Sequence, residues 1–255
     1  MNIQKITTKK ISAGDDLYVI FQESLPLVIL DDSFLCISSK IIALCEGSVV
    51  AKADVINKDD LIIKHAEAYL PRVYTPGGYV MHTVKNNMIM PTAGIDSSNG
   101  GNNYVLLPKD SYVSAQQIYH WVQKKYDLKN LGIIITDSRS QVLRNGVVGY
   151  ALSFYGFNPI RNYRGTKDLF GNKMNFSQSN IPDALAAASV LSMGEGNEGT
   201  PIAIISGIHG AIFGSEFGPE LFEINKKDDI YILNPFFQKL LGYIKKLIKL
   251  NQFFS

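Results

Sequence analysis

The run LGIIIT, residues 131–136, constrains the fold more than any other stretch. Three consecutive isoleucines favour an extended backbone, because β-branched side chains lose freedom in a helix and pack well on a pleated surface. An apolar run of this length without alternation reads as a buried strand, and it stops at Asp137–Ser138. The chain must then supply apolar cover for it. Of 255 residues, 46% are hydrophobic and 19% are charged, which suits a sizeable core and argues against disorder.

Other elements are legible around that strand. SFLCIS (33–38) and PIAIIS (201–206) are further apolar runs with β character. NIPDALAAASVLSM (180–193) is the clearest helix: Asn180 can cap it, Pro182 suits its first turn, Asp183 favours the N-terminal dipole, and Gly194 stops it. The spacing of Ile118, Trp121, Val122 and Tyr126 predicts a helix over 114–126, and LIIKHAEAYLPRV predicts one over 61–73, ending near Pro71. Residues 81–96 read as a hairpin around Asn86–Asn87, and SSNGGNN (97–103) as a loop. Strands and helices mix without strict alternation, so the predicted class is α+β with mixed sheets. The expected organisation is a domain over 1–214 and a C-terminal extension over 215–255.

A net charge of +2 is too small to imply a nucleic-acid surface. Cys36 and Cys45 give neither a disulfide framework nor metal-ligand spacing, and residues 1–16 lack the apolar run of a signal peptide, so a cytoplasmic location is expected. No window holds eighteen apolar residues without charge, so no membrane span is expected. Residues 235–254 place Phe237, Leu240, Leu241, Ile244, Leu247 and Ile248 on one helical stripe, with lysines largely off it. This predicts an amphipathic helix, docked on the core or a second subunit, or touching a membrane surface.

Four clusters offer chemistry. In GEGNEG (194–199) the glycines have dinucleotide-fingerprint spacing, but the order is helix, glycines, strand, the reverse of what that fold requires. Its acids make sense if a divalent cation stands between Glu195 and a phosphate; the alternative is a Gly-rich turn with solvated acids. In AGIDSSN (93–99), Asp96 is a candidate for a hard cation and Asn99 for a ligand hydrogen bond, against an Asx-rich turn. After the buried strand, Asp137 and Ser138 are placed for a metal and phosphate, against a cap or turn. RNYRGTKDLFGNK (161–173) brings Arg161, Arg164 and Lys167 near Asp168, as an anion grip or a structural Arg–Asp pair, the latter favoured for Asp168. His65, His82, His120 and His209 are dispersed, and neither a Walker A motif nor a G-x-S-x-G elbow occurs.

Taken in order, SSKIIALCEG, PTAGIDSSN, VLLP, GIIITDSRSQVLRNGVVGYALSFYG, RGTKDLFG and PDALAAASVLSMGEGNEGTPIAIISG resemble the coenzyme F-420 gamma-glutamyl ligases, from about residue 8 to residue 207. The resemblance implies an intertwined α+β homodimer with a gamma-glutamyl-ligase-like fold. It implies a GTP-dependent ligase that uses Mg²⁺ or Mn²⁺ at two sites, with K⁺, to add L-glutamate to a deazaflavin acceptor through an acyl phosphate. By matching motif, Asp96 and Asp137 share one metal, and Ser138 and Glu195 hold a second. Thr8, Lys9, Lys10, Ile11, Ser39, Lys40, Asn99 and the loop Met193, Gly194, Gly196, Asn197, Gly199 contact the nucleotide; Arg164 joins Asp96 and Asp137 as catalytic. Leu44 and Ser48 stand where relatives often carry a lysine and an arginine, and the segment 50–90 is divergent. A pterin acceptor, giving a folate gamma-glutamyl ligase, is the alternative reading, and a non-catalytic nucleotide-binding scaffold is the third.

Overall fold

A computed structural model describes residues 1–225 and 228–230. The chain forms two compact units, Met1–Pro219 and Glu220–Ser255. Every element below belongs to the first; the amphipathic stripe at 235–254 lies outside the described residues.

The architecture is α+β, with five α-helices among the described residues and mixed sheets. The main sheet runs, in spatial order, Asn2–Ile6, Ile202–Ser206, Ser33–Ser38, Leu131–Ser140 and Val147–Tyr155. Only Ser33–Ser38 and Leu131–Ser140 pair in parallel, with Ser38 opposite Thr136. Both are buried over that shared length apart from Ser38 itself, which explains the unbroken apolar runs: helices cover both faces, so alternation has no purpose. On one face Leu35, Ile37, Ile133 and Ile135 form a core with Ile118 and Val122 of helix Ser111–Tyr126. On the other, the Cys36 thiol meets Ser189 of helix Ile181–Met193, and burial pushes that thiol up to about 12. Such a thiol is inert at neutral pH.

Gly149 sets how closely the second helix approaches. A Cβ there would stand 2.5 Å from the Ala186 carbonyl oxygen and 2.6 Å from Val190 Cβ. Gly149 is also the register partner of Ser138. The helix can therefore lie directly against the strand pair that carries the candidate metal ligands.

Local signals largely hold. Asn180 accepts from the Asp183 N–H, and Asn86 and Asn87 adopt φ of 50° and 57° between strands His82–Lys85 and Met88–Pro91. Three expectations change. The helix predicted over 61–73 runs Lys58–His65, starting at an Asn57 cap backed by Asp59 and Asp60, and Ala68–Leu70 instead pairs with His82–Val84 as a strand. The 114–126 helix begins earlier, at Ser111, because the Asp110 carboxylate caps it. The central strand does not stop at Asp137 but continues to Ser140, since Val147–Tyr155 pairs with it across a register shift between Ile135 and Thr136. Leu44 is buried against Ala43 and Val105, and Ser48 donates its hydroxyl to the Leu107 carbonyl at 2.8 Å, so both serve the core.

Candidate active site

The site lies beyond the carboxyl ends of the two parallel strands, the edge where open sheets gather ligands. Five separate segments arrive there. Ser38 N–H donates to the Pro201 carbonyl at 2.9 Å, which sets the start of helix Ser39–Cys45 beside the end of the glycine loop. The Thr8 N–H donates to the Gly199 carbonyl at 3.0 Å and ties in the N-terminal loop. Asp137 and Ser138 extend from the central strand. The segment 92–105 is closed by the antiparallel bridge of Asp96 with Val105.

Asp96 is the most heavily held acid. Its Oδ2 takes an ion pair from Lys40 Nζ at 2.6 Å, and its Oδ1 accepts from the Ser98 N–H at 2.7 Å and the Ser98 hydroxyl at 2.9 Å. Burial alone would raise its carboxyl, but Lys40 and Ser98 outweigh burial and hold it below the ordinary carboxylate value. The backbone just before it is unusual. Thr92 and Ala93 have φ of 54° and 52°, a left-handed conformation that strains non-glycine residues. The buried Thr83 hydroxyl braces this turn, accepting from the Ala93 N–H at 2.8 Å and donating to the Met90 carbonyl at 2.7 Å.

Asp137 behaves oppositely. Desolvation pushes its carboxyl up to about 7; the Ser138 N–H and Lys40 oppose this, and the negative charges of Asp96 and Glu195 add to it. Tyr150, its register partner, is buried beside it. Burial, followed by the Asp137 charge, pushes that phenol well above its ordinary value. Arg139 stacks its guanidinium 4.6 Å from the Tyr150 ring centroid.

The glycine loop separates its two acids. Glu195 accepts from the Ser138 hydroxyl at 3.0 Å. Glu198 turns back over its own loop, accepting from the Gly196 N–H at 2.8 Å and lying where any Cβ on Gly194 would collide with it. The Gly196 carbonyl accepts from Asn99 Nδ2 at 3.0 Å, which joins this loop to the Asp96 segment. Thr200 closes the loop base by donating to the Met193 carbonyl at 2.6 Å.

Asp96, Asp137, Ser138 and Glu195 thus come from three segments and act on one another. Lys40, Asn99, Ser39, Thr8 and the 193–199 loop join them. Lys9 is engaged with Glu23 at 2.9 Å, Lys10 is exposed, and Ile11 packs on the core. Asn197 is exposed at the loop tip. Arg164 is exposed on the arm between Ile160–Asn162 and Gln178–Asn180, where Asn162 accepts from its backbone N–H at 3.0 Å; among the described residues it makes no bond to the acids. Asp168 makes no arginine pair there; it accepts from the Phe170 and Asn172 N–H groups and caps the turn. Tyr150, Ser98 and Thr83 are absent from the sequence reading, because their roles depend on strand register and loop closure rather than on any motif.

The donors are hard oxygens, which suits Mg²⁺ or Mn²⁺. Among the described residues no three acidic, His or Cys side chains form a ready cage. That fits an ion bound through one or two carboxylates and completed by phosphate oxygens and water.

Residues 5–207 match the family described as F420-0:Gamma-glutamyl ligase. The chain is 30% identical over 223 residues to the coenzyme F420:L-glutamate ligase of Methanosarcina mazei, covering 82% of this chain and 87% of that one. It is 29% identical over 217 residues to the protein of the same name from Methanopyrus kandleri, covering 78% and 84%. With the Methanosarcina barkeri protein of that name it shares 30% over 210 residues, covering 77% and 81%.

Proposed function

We propose, from the premise that this chain belongs to the F420-0:gamma-glutamyl ligase family, that it joins L-glutamate to a carboxylate of a deazaflavin F420 precursor in a GTP- and divalent-metal-dependent reaction. The observation that carries this is the meeting of Asp96, Asp137 with Ser138, and Glu195 at one edge of the sheet, each acid close enough to bear on Asp137. A scaffold has no use for a desolvated acid such as Asp137 set beside the negative charges of Asp96 and Glu195, whereas a cation relieves it.

An unactivated carboxylate does not form an amide. In the reading supported here, an acceptor carboxylate oxygen attacks the γ-phosphorus of GTP, GDP leaves, and the acyl phosphate is attacked by the glutamate amine. Phosphate leaves with the acyl C–O bond, and the amine proton passes to a base. Asp96 and Asp137 would hold one divalent ion, and Ser138 with Glu195 a second, supplying charge neutralisation at the phosphate oxygens. The chain's own groups do the positioning. Lys40 sits on Asp96 and is within reach of an anion bound beside it. Asn99 bridges the Asp96 segment to Gly196, so nucleotide held by one loop is aligned with the other. Backbone N–H groups of the glycine loop are available to phosphate once Glu198 yields Gly196.

A homodimer belongs to the same reading. Leu169, Phe170 and Phe176 project from the 160–180 arm almost fully exposed, and a second copy would cover them and bring Arg164 toward its site. The test incubates the protein with GTP, Mg²⁺, labelled glutamate and a deazaflavin or a pterin acceptor. Label is expected in the deazaflavin product, dependent on GTP and Mg²⁺, and absent with Asp137→Asn. Incorporation into neither acceptor, or full activity in that variant, refutes the proposal.

A further inference from the structure

Of the four lysine and arginine residues in segment 52–72, Lys64 is exposed and three are partly buried. Arg72 is satisfied: its Nε lies 2.7 and 2.9 Å from the two Asp59 carboxylate oxygens, and its Nη1 donates to the Tyr79 carbonyl at 2.6 Å. Lys52 is satisfied too, donating to the carbonyls of Ser97 and Gly101 at 3.1 and 3.0 Å. Asp96 is occupied by Lys40. Lys58 remains. It opens helix Lys58–His65, is half-buried, and has no hydrogen-bond or ion-pair partner among the described residues. Its Nζ lies 5.3 Å from the Tyr104 ring centroid, with Lys52 Nζ at 5.8 Å from the same ring.

A half-buried ammonium is unfavourable unless something negative meets it. Burial pushes the Lys58 ammonium below its ordinary value, and Arg72 and Lys52 push the same way. Asp96 and Asp59 oppose them, but each is already bonded to another cation. The Tyr104 ring holds the ammonium by a cation–π contact, which positions it without using its N–H donors. All three Nζ donors are unspent. Lys52, over the same ring, donates to the carbonyl of Ser97, the residue after Asp96, which places the Lys58 ammonium beside the proposed reaction centre.

We propose that Lys58, braced on Tyr104 beside Lys52, is an oxyanion subsite that grips a carboxylate or phosphate of a substrate whose reacting end lies at the Asp96–Asp137 edge. The inference rests on the ligase reading for its biological meaning. Its chemistry is testable without turnover.

Calorimetry on the full chain would use three probes: L-glutamate, GTP with Mg²⁺, and inorganic phosphate. Lys58→Met keeps an unbranched side chain of similar length beside Tyr104 and removes the charge, and Lys58→Arg restores it. One probe is expected to bind about tenfold or more weakly to Lys58→Met and to recover with Lys58→Arg, with the melting temperature unchanged or raised. Loss confined to glutamate identifies its carboxylate as the occupant, and loss for GTP or phosphate identifies a phosphate. Unchanged affinity for all three overturns the subsite. So does a lowered melting temperature with uniform weakening, which would mark Lys58 as structural. Lys58-dependent binding in a protein that forms no amide would leave the subsite standing and remove the ligase reading.

Discussion

Replacing Thr83 by valine should loosen the turn that presents Asp96 while leaving no cavity, because the two side chains have nearly the same shape. Thr83 is 2% exposed, and its hydroxyl serves the Ala93 N–H and the Met90 carbonyl at 2.8 and 2.7 Å. Valine deletes both bonds and leaves a buried N–H unpaired, a loss of about 1–3 kcal/mol for that donor and up to about 1 kcal/mol more for the carbonyl. The turn cannot cheaply compensate, since Thr92 and Ala93 hold strained left-handed conformations that only surrounding bonds maintain. The expected destabilisation is about 1–4 kcal/mol, or roughly 2–16 °C in melting temperature for a unit of this size. Denaturant unfolding and thermal melts measure it. Thr83→Ser keeps the oxygen and should lose no more than about 1 kcal/mol. The stabilisation gained from Mg²⁺ with GTP should shrink in the valine variant, because Asp96 follows the relaxed turn, and persist with serine. A valine variant as stable as the parent, or a serine variant equally damaged, would refute the role given to this hydroxyl.

Gly149→Ala places a methyl against the Ala186 carbonyl and Val190, so thermal melts should report about 1–3 kcal/mol of lost stability, and GTP affinity should fall as the helix moves Glu195 away from Ser138. In EDTA, stability should decline as pH rises from about 4 through about 7, because the native Asp137 carboxyl, at about 7, holds its proton more tightly than the unfolded one. The full shift corresponds to about 4 kcal/mol, reduced to about 1–3 by the partial exposure of the group; urea titrations of Asp137→Asn should lack this slope. Asn99→Ala removes the bond to Gly196 and should raise the apparent KM for GTP about fivefold or more in steady-state assays, with little effect on melting temperature.

Sequence order alone carried the pieces that depend on near neighbours. The Asn180 cap, the Asn86–Asn87 turn and the buried run at 131–136 follow from steric and hydrogen-bonding preferences spanning a few residues, and so could be read without a fold. Asp96, Asp137 and Glu195 could be singled out as candidates, since each sits in a recognisable stretch. Their surroundings could not. That Lys40 sits on Asp96, that Tyr150 stands behind Asp137, that Glu195 reaches Ser138, and that Lys58 lies over Tyr104 without a hydrogen-bond or ion-pair partner among the described residues are outcomes of packing. The Lys40–Asp96 and Ser138–Glu195 contacts join segments far apart in the chain, and the pairing of Tyr150 with Asp137 follows a register shift between Ile135 and Thr136. Local preference cannot encode such a shift, because a one-residue slip exchanges the faces of a strand, and only burial against the covering helices selects between them.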